Sequence, residues 1–288
     1  ERLGLTAETI NSSQSLDRRS EVERRIDADE VDLLLVAPER LADERFIQNT
    51  LSRLGSGIGM LVVDEAHCIS DWGHDFRPDY MRIRRILREL PPEVPVLATT
   101  ATANDRVVDD IETQLGAGLR TIRGPLARAS LSLHVLRLAG YRDRLAWLAQ
   151  NLEELPGTGI IYCLTVRDSE TVAEWLQSRG LPVAAYHAQL PPDEKVSLEE
   201  RLLNDDLKAL VATVALGMGF DKPNLGFVVH AQTPSSPVAY YQQVGRAGRA
   251  IPEAVAVLLA APADARIHAY FREAAYPREE DLREVLKA

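Results

Sequence analysis

The ten residues Ile58–His67, IGMLVVDEAH, constrain the fold of this chain more than any other stretch. Met60–Val63 is an unbroken apolar run that reads as a buried parallel strand, and it ends in two adjacent carboxylates, Asp64 and Glu65. Such a strand delivers its last residues to the carboxyl edge of an open α/β sheet, the edge where ligands bind. There one carboxylate can hold Mg²⁺ against phosphate oxygens while its neighbour orients, or takes a proton from, a water. Taken alone, the pair is better explained as a helix N-cap at Asp64 with Glu65 in the first turn. The residues that follow it decide otherwise.

Short apolar runs recur on both sides of this strand. Thr6–Asn11, Asp32–Val36 and Pro95–Ala98 are predicted strands, the second of them buried. Leu16–Asp29, Pro78–Leu90 and the run from Asn104 and Asp105 to Leu115 are predicted helices. Periodicity weakens between Gly116 and Gly140, which predicts a boundary. Beyond it, strands over Gly159–Tyr162, Val183–Tyr186, Ala209–Ala212, Phe227–His230 and Ala254–Leu259 alternate with helices. Those helices cover Arg142–Leu152, Val166–Arg179, Asp193–Asn204 and Val238–Val244. Such alternation with short loops implies parallel sheets with right-handed crossovers. At 288 residues the chain can hold two cores. The expected architecture is therefore α/β: a domain over 1–127, a linker over 128–140, a second domain over 141–262 and a helical extension over 263–288, broken near Pro277.

Composition narrows the partners. No apolar run approaches the roughly 18 residues of a membrane span, and ERLGLTAET has no signal-peptide character, so a cytoplasmic, intracellular protein without a membrane partner is expected. The two cysteines, Cys68 and Cys163, belong to no CxxC pair, so neither a disulfide framework nor a zinc site is expected. A net charge of −10 argues against a protein coated in basic charge. It leaves room for one local track, because a single strand can be held by a few arginines and stacked aromatics along one groove.

DEAH continues as Cys68–Tyr80, CISDWGHDFRPDY, and the joined segment closely resembles motif II and the aromatic-rich loop of RecQ-type DNA helicases. Those are motor ATPases built from two RecA-like domains. Further along, Ala37–Leu41 resembles the family's motif Ib and Thr99–Ala103 its motif III. Gly159–Glu170 resembles motif IV, and Ala184–Leu190 the AYHAGL segment, with Gln189 in place of glycine. Val211–His230 is a near-complete motif V and Tyr240–Arg249 a near-complete motif VI. The matches span almost the whole chain in the family's order.

The resemblance implies two RecA-like parallel-sheet domains in tandem, with ATP and Mg²⁺ as cofactors. It implies single-stranded and partially duplex DNA as partners, with movement 3′ to 5′. It casts Asp64 as the Mg²⁺ carboxylate, acting through water, and Glu65 as the residue that orients the hydrolytic water. His67 would link this site to Gln242 or to the motif III hydroxyls Thr100 and Thr102. Arg249 is cast as the arginine finger and Arg246 as its support, with Gly219 and Asp221 at the nucleotide. Trp72, His74, Phe76 and Arg77 would stack on unpaired bases and report their presence to the acids.

The sequence also departs from the family pattern. It contains no GxxxxGK[ST] phosphate loop, and none of its lysines follows a glycine. A first domain incomplete at its N-terminus is therefore expected, in a chain that does not by itself hydrolyse ATP efficiently. The family's zinc subdomain and winged helix have no counterpart after Arg249. Ala250-Ile251 stands where relatives have Asp-Gly, and Gln232-Thr233-Pro234 where they often have Asp-Ile-Pro. Two other functions compete: a non-hydrolysing nucleic-acid-binding module, and a metal-dependent hydrolase using Asp64, Glu65, His67 and His187.

Overall fold

A computed structural model describes residues 4–11, 14–47, 57–70, 78–116, 118–125, 127–217, 220–274 and 283. The chain divides into two compact units, Glu1–Arg123 and Gly124–Ala288.

In the first unit two parallel strand pairs carry the acidic segment. β1 (Ala7–Ile10) pairs with β2 (Leu33–Val36), and β3 (Leu61–Val63) pairs with β4 (Val96–Ala98). The longer helices that accompany them are α1 (Leu16–Asp27), α2 (Ile83–Glu89) and α3 (Asp105–Leu115). α1 starts where Ser15 accepts from the Arg18 amide, and α3 where Asn104 accepts from Val107, each hydroxyl or amide side chain satisfying a free helix N–H. Their apolar stripes bury Val22, Ile83, Ile86, Val107 and Ile111 against Ile10 and Val63. The first turns after Pro78 are a 3-10 helix over Pro78–Arg82, so the α-helix expected from residue 78 begins five residues later.

The reading of β2 and β3 as fully buried strands needs correction. Leu33, Leu35, Met60, Val62 and Leu97 are each between 46% and 53% exposed, while Leu34, Val36, Leu61, Val63 and Val96 pack on or in the core. A continuous apolar run has no alternation from which one-sided burial can be read.

The second unit is a six-stranded parallel sheet in the order β5-β10-β9-β6-β8-β7. Its strands are β5 (Leu131–Arg137), β6 (Gly159–Tyr162), β7 (Val183–Tyr186), β8 (Ala209–Ala212), β9 (Phe227–His230) and β10 (Ala254–Ala260). Between them run α4 (Tyr141–Asn151), α5 (Val166–Gln177), α6 (Pro192–Leu203) and α7 (Pro237–Val244), and α8 (Asp264–Ala274) follows. The four central strands are buried on both faces. Ile161, Val211 and Val229 meet Leu148, Val172 and Leu176 of α4 and α5, while Ile160, Leu210 and Val228 meet Leu198, Leu202 and Val244 of α6 and α7. At about 1.5–3 kcal/mol for each buried Val, Leu or Ile, these two layers dominate the unit's stability.

The expected linker over 128–140 is mostly strand. β5 pairs with β10 along its whole length, from Leu131 opposite Ala254 to Arg137 opposite Ala260, and the division between units falls earlier, at Arg123. The run LSLHVLR forms an outer strand with Leu133 and Val135 exposed and Leu131 and Leu136 only partly buried, so its apolar residues do not mark one inward face.

Candidate nucleotide and coupling sites

The acidic segment is held by the chain leaving β4. The Thr99 amide donates to the Val63 carbonyl and the Ala66 amide to the Thr99 carbonyl, both at 2.9 Å, which extends the β3–β4 ladder past the strand ends. Thr99 thus lies beside Asp64, and its hydroxyl donates to Asp64 Oδ1 at 2.7 Å. The Glu65 amide donates to the same oxygen at 2.9 Å. Tyr80 donates to the Asp64 carbonyl at 3.2 Å. Of the motif III hydroxyls, the one on the acid belongs to Thr99 rather than to Thr100 or Thr102.

Glu65 occupies left-handed backbone, φ 48° and ψ 42°, a conformation that costs a non-glycine residue about 1–3 kcal/mol. The turn places its carboxylate 3.2 Å from Nδ1 of His67, which is buried at the start of the 3-10 turn Ala66–Ile69. The same nitrogen lies 3.0 Å from the Thr100 hydroxyl oxygen, and that oxygen accepts from the Thr102 amide at 3.2 Å. Asp64 with Thr99, and Glu65 with His67, Thr100 and Thr102, therefore form two adjoining polar strings at one strand edge. Of the two links expected for His67, the one to a motif III hydroxyl is present within this unit.

Asp64 is exposed, and no group of three or more His, Cys, Asp and Glu among the described residues could enclose a metal ion. A single open carboxylate suits a hard cation that keeps most of its waters and takes its other oxygens from phosphate, which is the coordination habit of Mg²⁺. His187 lies in the second unit after β7, its Nε2 3.3 Å from a Glu170 oxygen.

In the second unit the arginines follow α7, which Ser236 caps by accepting from the Ala239 amide and Pro237 opens. Arg246 donates to the Phe220 carbonyl at 3.0 Å. Arg249 donates through Nη1 to Asp221 Oδ1 at 2.7 Å and through Nε to the Gly245 carbonyl at 3.4 Å. Both partners of that ion pair are about half exposed, so it is weak and open to exchange. The turn bearing Asp221 is fixed from below by Lys222, whose buried ammonium donates to the Leu203 carbonyl at 3.0 Å and lies 2.9 Å from Asp205. The hydrogen bond from Lys222 holds the Asp205 carboxyl below the usual range.

The structure adds residues that the sequence reading left out. His230, at the end of β9, is buried, with Nε2 2.8 Å from Gln243 Oε1. Its ring stacks on Tyr162 at 5.6 Å and meets Tyr240 at 5.1 Å. Burial pushes its pKa down to about 4, against a smaller opposing pull from Gln243. The ring is thus neutral at pH 7, with its proton on the nitrogen facing Gln243. Gln242, the glutamine chosen from sequence, makes no side-chain hydrogen bond among the described residues. Gln232 and Thr233, noted above only as departures, cap strand ends: Gln232 accepts from the Leu164 amide at 2.7 Å, and Thr233 donates its amide and hydroxyl to Asp264. Trp72, His74, Phe76, Arg77 and Gly219 lie outside the described residues.

Two α/β units, one ending a strand in DEAH and the other ending a helix in GRAGR, define the core of a DEAD/DEAH-box helicase. Residues 2–111 match the DEAD/DEAH box helicase family, and residues 143–251 the helicase conserved C-terminal domain. The ATP-dependent DNA helicase RecQ of Bacillus subtilis is 36% identical over 290 residues, covering 100% of this chain and 48% of that protein. Its counterpart in Haemophilus influenzae is 35% identical over 262 residues, covering 91% and 41%. The RecQ-like DNA helicase BLM of Xenopus laevis is 40% identical over 226 residues, covering 76% and 16%.

The chain belongs to the RecQ-type helicase family. It spans less than half the length of these curated relatives. Among solved structures, Mycobacterium smegmatis helicase Lhr bound to ssDNA and AMP-PNP gives a TM-score of 0.67 at 20% identity, covering 90% of this chain and 36% of that one. S. cerevisiae Dbp5 bound to RNA and ADP BeF3 gives 0.67 at 19%, covering 92% and 66%. These likenesses speak for the fold, two RecA-like domains. No helix among the described residues is long and apolar enough to cross a membrane.

Proposed function

We propose that this chain is the motor core of an ATP-dependent DNA helicase that couples hydrolysis to 3′–5′ movement along single-stranded DNA and to opening of adjoining duplex. The observation that carries the reading is the pair of polar strings at the β3–β4 edge. They hold Asp64 open to a solvated Mg²⁺ and connect Glu65, through buried His67, to the Thr100–Thr102 turn. Bound Mg²⁺ supplies charge neutralisation at the phosphates. In this reading Glu65 orients the attacking water. Gln242 belongs to the catalytic machinery by its place in motif VI, and Gly219 and Asp221 flank the nucleotide. Arg249, released from Asp221, neutralises charge building on the transferred phosphoryl group, with Arg246 beside it. Trp72, His74, Phe76 and Arg77 contact unpaired bases. Such a partner places the protein's work inside the cell.

The test is DNA-stimulated ATPase in the full-length protein. Arg249→Ala is expected to lower kcat by about 10³-fold, in the range of arginine-finger losses, while nucleotide affinity stays largely intact. Unchanged turnover removes the assignment. Trp72→Ala is expected to leave basal ATPase in place and abolish its stimulation by single-stranded DNA. A second reading, a non-hydrolysing DNA-binding module, is separated from the first by measurement. It requires DNA binding without nucleotide turnover in the same assay.

A further inference from the structure

The arginine loop Gly245–Arg249 is gripped from a part of the chain to which neither the motifs nor the proposed chemistry gives a role. Arg128, five residues beyond the last residue of the first unit, donates through Nη1 to the Gly245 carbonyl at 2.9 Å and to the Ala247 carbonyl at 2.7 Å. Ser130, two residues on, donates its hydroxyl to the Gly248 carbonyl at 2.7 Å. Three of the five loop residues thus have their carbonyls held by the segment that leads into β5.

Two features make this more than surface decoration. The Gly245 carbonyl sits at the C-terminal end of α7, where helix carbonyls lack intrahelical partners and the helix dipole favours a cation. The same carbonyl accepts Nε of Arg249 at 3.4 Å, so Arg128 and Arg249 rest on one oxygen from two sides. Gly248 shows how closely the loop is pressed onto its support. It has φ 71°, and a Cβ there would stand 2.9 Å from the Ser130 hydroxyl and 3.0 Å from Ala254 Cβ. A side chain at that position would lift the loop off Ser130.

We propose that Arg128 is a positioning residue for the Arg249 finger, setting the loop from which Arg249 reaches the nucleotide, with Ser130 as its second fastening. The proposal rests on the finger role argued above. A planar guanidinium can serve two carbonyls at charge-assisted strength, whereas a lysine ammonium is a point charge on a shorter, more flexible stem. Loss of the grip leaves Arg249 chemically intact and wrongly placed, and small misplacements are costly in group transfer.

The experiment is a double-mutant cycle on DNA-stimulated ATPase of the full-length protein, with amide hydrogen exchange over residues 245–250 measured alongside. Arg128→Gln should lower kcat by about tenfold or more while KM for ATP moves less than about threefold, and exchange in the loop should rise. Arg128→Lys should recover part of the loss. Arg128→Gln added to Arg249→Ala should cost nothing further. Wild-type turnover in Arg128→Gln beside an impaired Arg249→Ala overturns the role of Arg128 alone, as does a loss that multiplies with that of Arg249→Ala. Wild-type turnover in Arg249→Ala overturns the finger reading itself.

Discussion

His230 is a single side chain whose protonation the fold controls. In an unfolded chain a histidine titrates near 6.5, and here burial lowers it to about 4. Between those values the unfolded chain binds more protons than the folded one, so stability falls as pH falls through that window and is fully present above it. The shift corresponds to about 3 kcal/mol at its limit. The melting temperature should therefore drop between pH 7 and pH 5, and His230→Gln should flatten that slope. An unchanged slope in the variant assigns the acid sensitivity to other groups. Cys163 behaves in the opposite chemical sense: burial pushes its thiol well up, which makes it a packing residue and a poor nucleophile.

At the scale of elements, the clearest dependence is between the first helix of the second unit and the last. Arg144 on α4 meets Asp264 at the start of α8 at 2.5 Å, both side chains 4% exposed, and donates Nε to the Leu259 carbonyl at the end of β10. Burial raises the Asp264 pKa, but the hydrogen bonds from Arg144 and Thr233 outweigh it and leave the carboxyl below its usual range. Removing one partner of such a pair strands the other charge. Arg144→Met should cost about 3–5 kcal/mol in denaturant unfolding, and Arg144→Met with Asp264→Leu should recover part of it. A cost within about 0.5 kcal/mol for the single variant contradicts this account.

Elements of this kind divide into those the sequence announces and those it hides. Gly159–Tyr162, Ala209–Ala212 and Phe227–His230 are uninterrupted apolar runs between turn residues, and the sheet takes them at the expected bounds. β5 stayed hidden because an outer strand with exposed Leu133 and Val135 offers no clean inside and outside. The acids and arginines were legible because each closes a strand or helix with charge. Arg128, Gln243 and His230 were not, because their importance lies in partners distant along the chain: Gly245 and each other.

At the scale of the whole molecule, the two units differ in how they are finished. Among the described residues, the central strands of the second are covered on both faces, while Leu33, Leu35, Met60, Val62 and Leu97 of the first are half exposed. Apolar surface of that kind binds environment-sensitive dyes and promotes association. The double variant Leu35→Thr and Val62→Thr should keep the circular dichroism of the chain and reduce dye binding. Equal dye binding would place the sticky surface elsewhere.

The strand order of the second unit has a consequence for how the protein is made. β10 lies between β5 and β9, so the first strand synthesised waits for the last before it gains a neighbour. A ribosome that has released everything up to Glu253 has delivered an orphan β5 and an open flank on β9, and such late, distant pairings fold slowly. Stopping the chain there should yield insoluble or protease-sensitive product, whereas the full 288 residues should not.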